Sequence, residues 1–296
     1  MSYFDYLEKG NLKKYTKTLI QKYAISPRIS WGQNFVINKS VVDALLLEAN
    51  LREKDIIVEV GCGIGTLTYF LLKSCQKVFS YELDPILSTI MRKEFYNYGD
   101  KLEIRSGDFL KLEIPYHHKL ISNLPYGISS PFIRRITDIS NRPEIITITL
   151  QREFANHLCA KAGESDYSRI SVFSSFFYKF EVINTFPPHF FTPKPHVQSS
   201  LVRGIRLDPP KLTREKEFFI FLTHLFCRKH KKVRNNLQVL AKSYPHNLRK
   251  KFRFELDKLE YRTHQPINLS PNQILDLYQQ FNEIQRSFSR KSSDDN

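Results

Sequence analysis

The feature that most constrains the fold is an alternation of strand-like and helix-like segments around a glycine-rich turn. Residues 55–60 (DIIVEV) form a short apolar run that ends at Gly61, which is typical of a buried strand. Apolar residues recur at helical spacing over residues 66–74. A second strand-like run, 77–82 (KVFSYE), precedes a segment, 85–96, that begins with Pro in its first turn, as helices often do. This alternation predicts βαβ units around a mainly parallel sheet, with further strands at residues 102–105, 119–122 and 145–150.

Three other segments flank this α/β region. Residues 1–30 are basic and mixed in pattern, and we predict an N-terminal extension that is helical over residues 7–23. The sequence Asp208-Pro209-Pro210 is typical of a linker. Beyond it the strand signal is lost and apolar residues follow helical spacing. We therefore expect an α/β domain over residues 31–208, a small helical domain over 211–285 and a frayed tail over 286–296.

The charge of the chain suggests a polyanionic partner. Forty-five Lys and Arg oppose thirty Asp and Glu, a net charge of +15, and residues 211–262 hold fifteen Lys and Arg against five Asp and Glu. Such an excess suits RNA, because each neutralised phosphate releases counterions. A solvated basic surface is the alternative. We expect phosphate contacts from five basic residues of this region, namely Arg228, Lys229, Lys231, Lys232 and Arg234.

Several classes of protein are not indicated by the composition. The four cysteines are scattered, and no Cys or His spacing is typical of zinc, so we expect a cytoplasmic, reduced protein without a metal. No run approaches the roughly 18 apolar residues of a membrane span, and the first residues lack the apolar stretch of a secretory signal. We expect a monomer with no membrane partner.

The turn between the first strand and helix is a candidate cofactor site. Its sequence from Glu59 to Gly65 is EVGCGIG, where glycines permit a tight turn and a close approach to a ligand. Glu82 ends the second strand, twenty-one positions after Gly61, and can bind both hydroxyls of a ribose. The GxGxG spacing, with Glu59 upstream, favours a cationic, phosphate-free ligand such as S-adenosylmethionine over a dinucleotide. After the third strand, Asp108 can accept a hydrogen bond from an adenine amino group, with Phe109 beside the ring.

The tetrad Asn123-Leu124-Pro125-Tyr126 is the most specific signal. It follows the strand at residues 119–122, and strand carboxyl ends are where ligands bind in open α/β sheets. The Asn123 side-chain oxygen and the Leu124 carbonyl can accept hydrogen bonds from N6 of adenine and orient its lone pair toward a methyl donor. Pro125 stiffens the loop, and Tyr126 offers a face for base stacking, which contributes roughly 1–3 kcal/mol.

A second aromatic segment lies at residues 190–197 (FFTPKPHV). Prolines on both sides of Lys194 make a stiff loop, so Phe190 or Phe191 can cover the opposite face of a base. We expect the base to be extruded, because a methyl donor cannot reach N6 within a stack.

These motifs together resemble the rRNA adenine N6,N6-dimethyltransferase family (KsgA/Dim type). The resemblance covers about residues 31–206 and continues less clearly through the basic stretch 226–235 (FCRKHKKVRN). The motifs, in order, are GQNF from Gly32, EVGCGIG from Glu59, YELD from Tyr81, GDF from Gly107, NLPYGISSP from Asn123, and FTPKPHV from Phe191 followed by Ser199. NLPYGISSPF, with QREFA from Gln151, is closer to archaeal and eukaryotic members.

The resemblance implies a Rossmann-like, S-adenosylmethionine-dependent methyltransferase domain followed by a small helical domain. It implies transfer of two methyl groups to each of two adjacent adenosines near the 3′ end of small-subunit rRNA, during ribosome biogenesis. Asn123 and Tyr126 fall on the family's target-base positions and Phe191 on its stacking aromatic. Gly127 departs from the polar residue usual there. The implied cofactor contacts are Asn34, Val36, Gly61, Gly63, Glu82, Asp108 and Asn123.

Three other functions share parts of this pattern. An Erm-type enzyme would perform the same chemistry on large-subunit rRNA, although NLPYGISSP favours the small-subunit branch. A non-catalytic RNA- or DNA-binding transcription or assembly factor could retain the fold, but the intact glycine turn, Glu82, Asp108 and tetrad favour catalysis. A DNA adenine methyltransferase usually begins the related tetrad with Asp, whereas Asn123 stands here.

Overall fold

The computed structural model describes residues 3–207, 212 and 214–291, which form two compact units. The first unit combines Met1–Asn156 with Tyr178–Arg206, and the second combines His157–Phe177 with Leu207–Asn296. We expected residues 157–177 to belong to the α/β domain, but they group with the helical unit. The reason is that the chain leaves the sheet after residue 151 and returns to it at residue 178. The predicted linker at 208–210 lies outside the described residues.

A seven-stranded sheet forms the centre of the first unit, in the order β4-β3-β2-β5-β6-β9-β7. Neighbouring strands from β4 to β6 are parallel, which confirms the expected parallel sheet, and β9 pairs antiparallel with β6 and β7. A separate antiparallel pair joins β1 to β8. The strands are β1 (Phe35–Val36), β2 (Ile56–Val60), β3 (Lys77–Glu82), β4 (Leu102–Ser106), β5 (Lys119–Asn123), β6 (Ile145–Gln151), β7 (Tyr178–Phe186), β8 (Phe191–Thr192) and β9 (Ser199–Arg206).

Helices connect the parallel strands. Asp84 caps α5 by accepting a hydrogen bond from the Ile86 N–H, and Pro85 occupies the first turn as predicted. Most apolar side chains of β2 and β5 are buried, as parallel strands covered on both faces require. The helices of this part of the chain are α1 (Phe4–Glu8), α2 (Leu12–Lys22), α3 (Lys39–Ala49), α4 (Thr66–Ser74), α5 (Pro85–Glu94), α6 (Ser129–Asp138) and α7 (Arg152–Cys159).

The second unit is helical, as predicted, and has an aromatic core. The rings of Phe218 and Tyr278 lie 5.0 Å apart, and those of Phe221 and Phe281 lie 5.2 Å apart. Its last helix includes residues 286–291, which we expected in a frayed tail; residues 292–296 lie outside the described part. The helices are α8 (Arg169–Ser174), α9 (Glu215–Leu225), α10 (Val233–Leu237), α11 (His246–Leu256) and α12 (Pro271–Lys291).

Two findings concern the described residues as a set. None of their helices combines the length and apolar character needed to cross a membrane. Their His, Cys, Asp and Glu side chains form no group of three or more that could hold a metal ion.

Candidate active site

A cavity opens at the carboxyl ends of β2, β3, β4 and β5 in the first unit. It contains about 690 Å³ of space not occupied by protein atoms, part of which is open to solvent. Because these strands are parallel, their carboxyl ends meet at one edge of the sheet and bring distant motifs together. The lining comes from residues 31–35, 60–61, 63, 81–83, 107–109, 123, 125 and 128.

The turn after β2 has the conformation that its glycines predict. Gly63 and Gly65 have φ values of 55° and 80°, in the left-handed region. A Cβ at Gly65 would lie 2.2 Å from the Met91 side chain and 2.6 Å from that of Phe95, so the backbone packs too closely there for another residue. Gly61 and Gly63 line the cavity.

Glu82 lies beside this turn and is 6% exposed. One carboxylate oxygen accepts the Gly63 N–H at 2.8 Å and the other accepts the Asp84 N–H at 2.9 Å. Burial raises the pKa of Glu82, and the two N–H donors oppose that rise. The oxygen that accepts from Gly63 also accepts a long contact from the Cys62 thiol at 3.8 Å. The other oxygen has a further lone pair, so the carboxylate can accept a hydrogen bond from a ligand in the cavity.

Glu59 does not face the cavity. Side chains alternate along β2, so Val60 lines the cavity while Glu59 lies on the other side. One Glu59 oxygen accepts from the Thr68 and Ser80 hydroxyls at 2.7 and 2.8 Å, and the other is buried without a hydrogen-bond partner. Burial raises the pKa of Glu59 to about 7. The expectation that Glu59 meets a cationic ligand is therefore wrong.

Asp108 and Phe109 form another wall of the cavity. The Asp108 carboxylate is partly exposed and accepts the Leu110 N–H at 2.9 Å. Phe109 is buried edge-on against Tyr81, with ring centroids 5.1 Å apart, so it supports the wall from within the core.

Asn123 is held in a fixed orientation at the end of β5. Its Nδ2 donates to the Asn34 carbonyl at 2.8 Å, and its Oδ1 accepts from the Thr149 hydroxyl at 2.6 Å. The donor and the acceptor together determine which way the amide points. Both Asn34 and Asn123 line the cavity, so the tetrad and the GQNF motif meet there.

The other tetrad residues have different environments. Leu124 is buried, which leaves its backbone carbonyl as the group of interest, whereas Pro125 lines the cavity. The Tyr126 hydroxyl is hydrogen-bonded to the Ser199 hydroxyl on β9, and burial raises the pKa of Tyr126. Tyr126 itself is not among the residues that line the cavity.

Sequence reasoning assigned no role to Thr149, and it indicated Ser199 only as part of a motif, without its bond to Tyr126; both residues are fully buried. Thr149 interrupts the apolar run of β6, and a hydroxyl in a buried strand needs a partner. That run contained a usable signal, because its threonines are the polar residues of an otherwise apolar strand.

Val36 and Phe191 lie outside the cavity lining. They face each other across the β1–β8 pair, and both belong to the apolar core, with exposures of 4% and 2%. Phe190 is partly buried against this core. The Phe191 ring is covered by neighbouring side chains, so a base could stack on it only if those side chains moved.

The five basic residues predicted to contact RNA phosphates divide into two groups. The Lys229 ammonium donates to the Ser165 and Tyr167 carbonyls, and Arg234 forms a two-bonded ion pair with Asp257. These two side chains already have partners, so we do not expect them to be the main phosphate ligands. Arg228, Lys231 and Lys232 are exposed, and Arg228 donates to the Asn235 carbonyl at 3.3 Å.

The sequence matches the profile of the family described as "Ribosomal RNA adenine dimethylase" over residues 25–283. The chain belongs to the ribosomal RNA adenine dimethylase family. This match confirms the resemblance that the sequence motifs indicated. Residues 3–24 precede the matched region.

Named relatives of this dimethylase support the assignment. It is 37% identical to a probable ribosomal RNA small subunit methyltransferase A of Methanococcoides burtonii, over 74% of this chain and 80% of the relative. It is 31% identical to a protein of the same description from Methanopyrus kandleri, over 89% and 95% of the two chains.

Solved structures agree with the fold. A dimethyladenosine transferase from Plasmodium falciparum superposes with a TM-score of 0.74 and 28% identity, over 84% of this chain and 98% of that one. The 23S rRNA methyltransferase ErmE gives 0.60 and 25%, over 83% and 99%. The predicted class, an α/β methyltransferase with a helical C-terminal part that uses S-adenosylmethionine, is confirmed.

Proposed function

We propose that this dimethylase transfers methyl groups from S-adenosylmethionine to N6 of two adjacent adenosines near the 3′ end of small-subunit rRNA. The observation that carries the proposal is the cavity in which Asn123, with an oriented amide, lies beside the glycine turn and Glu82. A methyl donor bound at the turn and an adenine bound at the tetrad would then share one cavity.

The cavity residues fit S-adenosylmethionine. Glu82 keeps a free lone pair on Oε1, and on Oε2 a ribose hydroxyl would replace the long contact from the Cys62 thiol; the Asp108 carboxylate can accept from the adenine amino group. Gly61, Gly63 and Asn34 are among the other residues that line the cavity, and a side chain at either glycine would come within 3.1–3.3 Å of Phe35 or Pro125. Val36 does not line the cavity, so its part in cofactor binding would come through its place in β1, next to Phe35.

The chain's own groups act on the target by orienting it. S-adenosylmethionine supplies, when bound, an activated methyl group on a sulfonium that is a strong leaving group. The N6 lone pair of adenine is delocalised, so the Asn123 oxygen and the Leu124 carbonyl would hold the amino group with its lone pair out of the ring plane. Carbonyl dipoles also stabilise the positive charge that develops on nitrogen.

No side-chain base is needed for this chemistry. Of the described residues that line the cavity, Tyr81, Glu82 and Asp108 are the titratable ones. Tyr81 donates its hydroxyl proton to the Glu113 carbonyl at 2.6 Å, while the two carboxylates belong to the proposed cofactor contacts. The methylated amine is acidic and can release its proton to water.

The proposed partner is small-subunit rRNA within a pre-ribosomal particle in the cytoplasm. We propose that this chain binds it as a monomer. The relatives carry the small-subunit description, whereas ErmE, which acts on 23S rRNA, is less similar in structure. Lys231, Lys232 and Arg228 are the proposed phosphate contacts. Tyr126 is a proposed stacking residue, and Phe191 is a second one that becomes accessible only when the residues packed on it move.

Primer extension tests this proposal. Small subunits that lack the modification are incubated with the protein and S-adenosylmethionine, and reverse transcription is followed across the 3′ end of the RNA. We expect a strong stop at two adjacent adenosines, because dimethylated N6 cannot pair, and no stop with Asn123→Ala. A stop on large-subunit RNA alone would favour the Erm-type alternative, and no stop on any RNA would favour a non-catalytic factor.

A further inference from the structure

The N-terminal segment, residues 3–24, precedes the region that matches the family yet is built into the first unit. Its helices α1 and α2 bury one apolar face completely, with Leu7, Leu12, Tyr15 and Leu19 all at 0% exposure. These side chains belong to the same apolar cluster as Cys62 and Ile64 of the glycine turn. The segment is therefore in contact with the core beneath the cofactor site.

Tyr15 makes a specific bond to the turn. Its hydroxyl donates to the Ile64 carbonyl at 2.7 Å, between two residues 49 positions apart in sequence. Because Tyr15 is fully buried, water cannot replace this bond if the hydroxyl is removed. Burial raises the pKa of Tyr15 well above its ordinary value, so the hydroxyl remains a donor.

A second contact reaches the next residue of the turn through Phe95. Phe4 packs edge-on against Phe95, with ring centroids 5.0 Å apart. Phe95 in turn lies against Gly65, where it would meet a Cβ at 2.6 Å. Tyr15 and Phe4 thus support two consecutive residues of the turn, Ile64 and Gly65.

Polar contacts hold the N-terminal segment against α4, which follows β2, and α5, which follows β3. Glu8 accepts hydrogen bonds from Tyr69 and Lys73 of α4, both at 2.7 Å. Glu94, the last residue of α5, accepts from Lys22 at 2.8 Å and from the Tyr23 hydroxyl. None of these bonds is made to a residue of the turn, so their loss affects how firmly the segment is held rather than a direct bond to the turn.

We infer that Tyr15 is a positioning residue for S-adenosylmethionine and that the N-terminal segment holds the glycine turn in its ligand-binding conformation. The connection runs through three bonded groups. Tyr15 fixes the Ile64 carbonyl, the preceding Gly63 N–H donates to Glu82, and Glu82 is the proposed ribose ligand. The inference rests on the cofactor contacts proposed above.

The test compares two tyrosines of the segment that each lose only a hydroxyl. Tyr15→Phe removes the bond to the turn, and Tyr23→Phe removes a bond to α5 and serves as the matched control. S-adenosylmethionine affinity is measured by calorimetry, and KM and kcat by methyl transfer to small subunits. We expect Tyr15→Phe to raise Kd and KM for S-adenosylmethionine about three- to tenfold, with kcat at saturation within about twofold. Tyr23→Phe should leave Kd unchanged.

Other outcomes overturn the inference. An unchanged Kd in Tyr15→Phe removes the positioning role. Equal increases in both variants indicate a general effect of the segment on stability and not a specific bond to the turn. A fall in kcat with no change in Kd shows that the hydroxyl does not act through cofactor binding. Glu82→Gln is included as a reference: if it binds the cofactor like the wild type, the cofactor contacts themselves are wrong. If Glu82→Gln weakens binding and Tyr15→Phe does not, only the present inference fails.

Discussion

Two threonines on one strand allow the role of the Asn123 amide to be isolated. Thr147 and Thr149 are two positions apart on β6, point to the same side and are both fully buried. The Thr149 hydroxyl donates to Asn123, whereas the Thr147 hydroxyl has no hydrogen-bond partner. Changing each to Val, which has nearly the same shape, therefore removes a functional bond in one case and none in the other.

The expected magnitudes follow from these contacts. A neutral hydrogen bond contributes about 0.5–1.5 kcal/mol, so if Thr149→Val loses it in the transition state, kcat falls about two- to thirteenfold. Affinity for S-adenosylmethionine should stay within about twofold, because the bond from Asn123 to the Asn34 carbonyl survives. Thr147→Val removes an unpaired buried hydroxyl, so it should keep full activity and be as stable as the wild type or more so.

Single-turnover methyl transfer to small subunits, with saturating cofactor, measures the rate, and thermal unfolding controls for stability. A gain of 1 kcal/mol in Thr147→Val would raise Tm by about 2–4 °C. Wild-type activity in Thr149→Val would show that the amide needs no such support. An equal loss of activity in both variants would show that β6 is merely intolerant of substitution, and the argument would be refuted.

Four further predictions follow from the same contacts. Glu82→Gln should raise the Kd for S-adenosylmethionine about ten- to 150-fold by calorimetry, because a hydrogen bond to a charged group contributes about 1.5–3 kcal/mol. Glu82→Ala should in addition lower Tm, because the Gly63 and Asp84 N–H groups lose their acceptor. Tyr126→Phe should keep kcat/KM within about tenfold, whereas Tyr126→Ala also loses stacking of roughly 1–3 kcal/mol and should be far less active. Burial raises the pKa of Glu59 from 4.5 to about 7, so its protonation stabilises the fold fully below pH 4.5 and this contribution is lost as the pH rises through 7. In denaturant titrations, the free energy of unfolding of Glu59→Gln should depend less on pH than that of the wild type, and an equal dependence would contradict this prediction. Replacing Lys231 and Lys232 with Ala should reduce the salt dependence of RNA binding by about 0.7–0.9 log units of slope per lost contact, and an unchanged slope would exclude them as phosphate ligands.

Most of the parallel part of the sheet could be predicted because β2, β3, β5 and β6 are buried on both faces and read as short, mainly apolar runs. β4 lies at the edge of the sheet with one buried residue, and its position was predicted from the alternation of strands and helices. The topology then brings the glycine turn, Glu82 and Asn123 to one edge, which the order of the motifs already implied. Gly127 could be noticed as a departure, and the structure shows open space at that position, with nothing within 4 Å of an added Cβ.

The remaining features depend on contacts between distant residues. β7 lies at the edge of the sheet with most of its side chains accessible, so it lacks the apolar run of a buried strand. The direction of the Glu59 side chain is decided by strand register, and the pairing of Arg234 with Asp257 spans 23 positions. The packing of the N-terminal segment on Ile64 likewise has no local signal, because it depends on residues 49 positions apart.

Nucleoside analysis after methyl transfer tests the central claim most directly. Unmodified small subunits are incubated with S-adenosylmethionine that carries a labelled methyl group, and the RNA is then digested to nucleosides and separated by mass spectrometry. Our account predicts that the label accumulates as N6,N6-dimethyladenosine, in two residues per small subunit, and that Asn123→Ala abolishes it while reducing cofactor affinity much less. Label in the ribose, at another ring position or only in large-subunit RNA would contradict the account.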